Sequence, residues 1–99
     1  MPDIDLTPAQ WASISVILER HLADRQIWAF GSRATRSAKP YSDLDLAIIG
    51  EQPVSIALLA ALAHDFTESN LPFKVDLIDW ATTGEGFRRI ITRDHVVLQ

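Results

Sequence analysis

A chain of 99 residues, 47% hydrophobic and 22% charged, is expected to fold as a single domain over residues 1–99 around one core. A net charge of −4 argues against direct nucleic-acid binding, and the lack of cysteine excludes disulfides, thiolate metal sites and a cysteine nucleophile. No apolar run reaches membrane-span length and the acidic start "MPDIDLTPAQ" has no signal core, so a cytoplasmic protein without a membrane partner is expected.

Thr7-Pro8 has the form of a helix N-cap followed by proline at the first helical position. Trp11, Ile14, Ile17, Leu18 and Leu22 then recur at helical spacing, which predicts a helix to about Asp24. "QIWAF" (26–30) is apolar, partly aromatic and stopped by Gly31, as expected of a strand. "SRATRSA" fits a short helix, and Pro40-Tyr41 leads through a turn to a second strand, "DLDLAII" (43–49). Residues 54–69 carry Ile56, Leu59, Ala60, Ala63 and Phe66 on one stripe and predict a second long helix. "FKVDLID" (73–79) is a third strand, "TTGEGFRRIITR" a shorter helix, and "HVVLQ" a final short strand. The order predicts an α/β fold: a small mixed sheet with helices on one face.

Side chains alternate across a strand, so Asp43 and Asp45 share one face while Leu44, Leu46 and Ile48 share the other. Adjacent carboxylates repel and need solvent, protonation or a cation between them, for which a hard divalent ion with oxygen ligands is suited. Asp76, between Val75 and Leu77, falls on the same open face, whereas Asp79 falls on the opposite alternation and suits a cap for the next helix. Three carboxylates on adjacent strands suit one or two magnesium ions and an in-line phosphoryl displacement. Gly31 permits close backbone approach, and Ser32 offers a hydroxyl and nearby N–H groups to phosphates.

Other residues carry weaker signals. His21, His64 and His95 form no ligand set. Trp11 is expected in the core, and Trp80 on the open face if it continues the alternation of Asp76. Arg33, Arg36 and Lys39, and then Arg88, Arg89 and Arg93, form two basic clusters that are read first as solvated surface.

Gly31-Ser32, ten intervening residues, and Asp43-Leu44-Asp45 together resemble the signature of the DNA polymerase beta-like nucleotidyltransferase superfamily. "GSRATRSAKPYSDLDLAII" is most similar to its shortest members, the minimal nucleotidyltransferases, and the similarity runs from about Ile27 to Leu77. The resemblance implies a nucleotidyltransferase fold, with Gly31 and Ser32 on the nucleotide phosphates and Arg33 as a further phosphate contact. It implies Asp43 and Asp45 on both magnesium ions, and Asp76 completing the second metal site and acting as, or helping to orient, the general base for the attacking hydroxyl. It also implies ATP as substrate and a HEPN-domain toxin as partner, with AMP transferred to a hydroxyl of that toxin, so that the chain serves as its antitoxin. A non-catalytic antitoxin acting by occlusion is the alternative, and an acidic domain that only binds a divalent ion is a third reading. Homo-oligomerisation is left open.

Overall fold

The computed structural model describes all 99 residues. Helix α1 (Pro8–Leu22) starts with a capping box: the Thr7 side chain accepts from the Gln10 amide while the Gln10 side chain accepts from the Thr7 amide. Helix α2 (Ile56–Thr67) starts at Ser55, whose hydroxyl accepts from the Leu58 amide. Between and after them lie the strands β1 (Gln26–Phe30), β2 (Leu44–Ile49) and β3 (Val75–Asp79). A 3-10 turn (Trp80–Thr82), helix α3 (Glu85–Arg93) and strand β4 (Val96–Val97) complete the chain.

The four strands form one sheet in the order β3-β2-β1-β4. β1 runs antiparallel to β2 and β4, whereas β3 runs parallel to β2, an arrangement reached through the crossover helix α2. The inner face is apolar. Ile27, Ala29, Leu44, Leu46 and Ile48 pack there with Ile14, Leu18 and Leu22 of α1 and Leu62 and Phe66 of α2. Burying each large aliphatic side chain contributes roughly 1.5–3 kcal/mol, which fixes β2 against sliding by one residue and exposing its Leu and Ile side chains.

The expectation of helices on one face holds for α1 and α2. Helix α3 departs from it: Ile91 packs with Phe30 and Ala47, flanked by Trp28, Ile49, Ile78 and Trp80, all on the opposite face. The large apolar groups that β1, β2 and the end of β3 present there require a cover, and α3 supplies it. The segment after β1 also departs from expectation, because residues 32–36 form turns rather than a short helix. Gly31 (φ 77°) and Arg36 (φ 63°) both adopt left-handed backbone that a helix does not accommodate, and the Thr35 and Ser37 hydroxyls reach back to the Ser32 carbonyl.

Candidate active site

Register brings the carboxylates together. Asp45 on β2 lies beside Phe30 on β1 and Asp76 on β3, at the end of the sheet where β1 runs out and β2 and β3 begin. Asp43 precedes β2 by one residue and is exposed, one alternation from Asp45. Burial pushes the Asp45 carboxyl above the usual carboxylate range, and the charges of Asp76 and Asp43 push it further. The ionised form of Asp45 is therefore the strained one, relieved by an added cation.

Gly31 ends β1 directly against this group. A Cβ built on it would run into Oδ2 of Asp45, and its positive φ disfavours any other residue. Beyond it, the Ser32 and Arg33 amides donate to no backbone or side-chain acceptor, and the Ser32 hydroxyl makes no hydrogen bond. The Gly31 carbonyl instead receives the Ala34 and Thr35 amides, at 3.1 Å each. Two uncommitted N–H groups and a hydroxyl at a tight turn beside carboxylates suit a polyphosphate.

Arg33 is placed elsewhere than expected. It is 4% exposed, and its guanidinium donates to four carbonyls: Ser42 (2.9 Å), Asp5 (2.8 Å), Pro40 (3.1 Å) and Lys39 (3.3 Å). The same group lies 3.9 Å from the centre of the Phe73 ring. Burial lowers its pKa, opposed by the charges of Asp5 and Asp43. With these donors committed, the Arg33 side chain is a clamp on the loop that leads from Gly31 to Asp43, and only its backbone amide is left for a phosphate.

Lys74 was missed by the sequence reading. Its Nζ lies 3.1 Å from Oδ1 of Asp76. The hydrogen bond and charge of Asp76, with the charge of Asp43, hold the ammonium above the usual lysine range. The signal was available, because Lys74 sits two residues before Asp76 and therefore projects to the same face. Asp79 behaves as expected, accepting from the Ala81 amide that follows and from the Val54 amide before α2.

Asp43, Asp45 and Asp76 offer only hard oxygen donors, the set a magnesium ion takes, and the raised Asp45 carboxyl fits a cation at this point. As the side chains stand, no three acidic or imidazole groups converge on one point, and Asp76 is drawn to Lys74. The donor chemistry fits a divalent ion, with Lys74 as the competing counter-charge.

The sequence profile of the family described as "Polymerase beta, Nucleotidyltransferase" matches residues 12–99. The chain belongs to that family. Within this nucleotidyltransferase family it is similar to a Haemophilus influenzae protein described as "Probable protein adenylyltransferase MntA", at 48% identity over 97% of this chain and 84% of the relative. The nucleotidyltransferase fold is further matched by the crystal structure of a toxin–antitoxin with AMP-PNP, at TM-score 0.74 and 21% identity over 90% of this chain and 72% of that one. A mutant toxin–antitoxin MntA-HpeT matches at TM-score 0.73 and 19% identity, over 90% of this chain and 72% of that one. At these identities the two structures speak to the fold alone.

Proposed function

We propose that this nucleotidyltransferase moves AMP from ATP to a hydroxyl of a partner protein, a HEPN-type toxin, and so acts as its antitoxin. The observation that carries the proposal is Gly31 pressed against the Asp45 carboxylate, with free amides on one side and Asp76 in register on the other. The 48% identical relative described as a protein adenylyltransferase supports a protein acceptor, and the toxin–antitoxin described with AMP-PNP supports a nucleotide and a toxin partner.

In this reading the Ser32 and Arg33 amides and the Ser32 hydroxyl donate to the polyphosphate and fix its direction. The acceptor oxygen forms a bond to the α-phosphorus while the bond from that phosphorus to the bridging oxygen breaks, and pyrophosphate leaves. Asp76 accepts the proton of the attacking hydroxyl or orients it. Asp43, Asp45 and Asp76 would hold magnesium, one or two ions, which when bound supplies positive charge to the polyphosphate and to the attacking and leaving oxygens. Most of the catalysis is then positioning and charge compensation, as phosphoryl chemistry demands.

The test is the intact mass of the partner protein after incubation with this chain, ATP and magnesium. One or more AMP increments are expected, absent with Asp43→Asn or Asp45→Asn. An unmodified partner that still binds this chain, together with cell protection by the Asp43→Asn, Asp45→Asn double variant, would mean inhibition by occlusion instead.

A further inference from the structure

The arginines of α3 take no part in the chemistry above. Arg88, Arg89 and Arg93, with Trp80, Glu85 and Thr92, line a cavity of about 390 Å³. Arg88 is fixed in place: its Nε and one terminal nitrogen donate to the Trp80 carbonyl at 3.1 and 2.7 Å, and its guanidinium sits 4.9 Å from the centre of the Trp80 ring. A carbonyl satisfies N–H groups without neutralising their charge. Arg93 meets only its neighbour Asp94, in an exposed pair at 3.2 Å, and Arg89 makes no ion pair. Glu85 is the one carboxylate lining the cavity, against three guanidinium groups. On a chain of net charge −4 this is a local reversal of sign.

The cavity's place in the fold says what could reach it. Phe87, near the start of α3, meets Phe30 edge-on with ring centres 5.7 Å apart, and Phe30 is the strand partner of Asp45. Helix α3 thus packs, through Phe87, on the strand neighbour of Asp45. Trp80 opens the 3-10 turn directly after β3, whose last residue Asp79 is three strand steps beyond Asp76, about 10 Å at ~3.3 Å per residue. Phe87 and Ile90 are exposed on the same helix, at 41% and 52%.

We infer that this face of α3 docks the acceptor protein, and that the arginine cavity takes acidic side chains of the acceptor lying about 10 Å or more from its reacting hydroxyl. The inference rests on the adenylyltransferase reading, since that reading supplies a protein at the carboxylates. A nucleic acid fits less well. Single strands bind by stacking bases on aromatic faces. Here Arg88 lies over Trp80, Trp28 meets Trp80 edge-on at 5.4 Å, and His95 stacks on Trp28 at 3.8 Å. Exposed Phe87 and Ile90 suit a protein surface.

The experiment is a binding titration with fluorescent Glu-rich, tyrosine-bearing peptide, its Lys-rich counterpart and a single-stranded oligonucleotide, on wild type and an Arg89→Glu, Arg93→Glu variant. Both arginines are exposed, so the variant should keep its thermal midpoint and ATP binding. Saturable binding of the acidic peptide is expected, at least about tenfold weaker in the variant, with little binding of the basic peptide. Equal affinity in the variant, no saturable binding of the acidic peptide, or tighter binding of the oligonucleotide would overturn the inference. The mass assay on the partner protein separates the two proposals: arginine-dependent binding of the acidic peptide beside an unmodified partner leaves the docking face intact and counts against the activity.

Discussion

Arg33 and Asp45 are both charged and withdrawn from solvent, and their burial serves opposite ends. Arg33 is satisfied by carbonyls and ties together the N-terminal segment, the loop before Asp43 and Phe73. Replacing it with lysine keeps the charge but loses the planar fork, so Arg33→Lys should destabilise the protein by about 2–3 kcal/mol, read as a lower urea midpoint. Gly31→Ala should cost about 1 kcal/mol or more through its positive φ alone, and should also displace the Asp45 carboxylate, so AMP transfer falls further than stability. The carboxylates were legible in the sequence because strand alternation assigns Asp43, Asp45 and Asp76 to one face. The role of Arg33 was not, because its partners are backbone carbonyls and leave no mark in side-chain spacing. Ser32 lay between these cases: its neighbourhood was legible, but the two free amides depend on how the turn folds.

Among the elements, the capped helices were the most readable. Thr7 with Gln10 and Ser55 ahead of an apolar stripe state their own beginnings, and β1 coincides with "QIWAF". The residue types after Gly31 are compatible with a short helix, while left-handed Arg36 and the hydroxyls of Thr35 and Ser37 favour the turns observed. The placement of α3 on the carboxylate face depends on how many aromatic groups that face exposes, which only the assembled sheet reveals.

The packing of α1 on α2 includes Asp65, which accepts from His21 at 2.6 Å and Arg20 at 2.9 Å. The His21 hydrogen bond, with that of Arg20, holds the Asp65 carboxyl below the usual range. A depressed carboxylate stabilises the fold above its unfolded-state pKa, and that contribution is lost as pH falls through the folded value. Thermal midpoints measured against pH should therefore drop less steeply in acid for Asp65→Asn than for wild type, and lie below wild type near neutrality.

For the molecule as a whole, the carboxylate end of the sheet is held against its own repulsion by the core beneath it. Asp45 has the opposite sign to Asp65: its raised pKa means that stability present in acid is lost as pH rises through the folded value. In chelator-treated protein, Asp45→Asn should raise the thermal midpoint near neutral pH, and magnesium should stabilise wild type more than the variant. The same change should cut transfer by more than about 100-fold, a loss typical of removing electrostatic stabilisation of the transition state. A midpoint lowered by Asp45→Asn would show that Asp45 supports the fold instead. The most direct test of nucleotidyl transfer compares ATP labelled at the α-phosphate with ATP labelled at the γ-phosphate, in the presence of magnesium and the partner protein. The geometry predicts that the α-label alone moves to the partner, with pyrophosphate released and Asp45→Asn inactive. Transfer of the γ-label, or α-label transfer undiminished in Asp45→Asn, would contradict it.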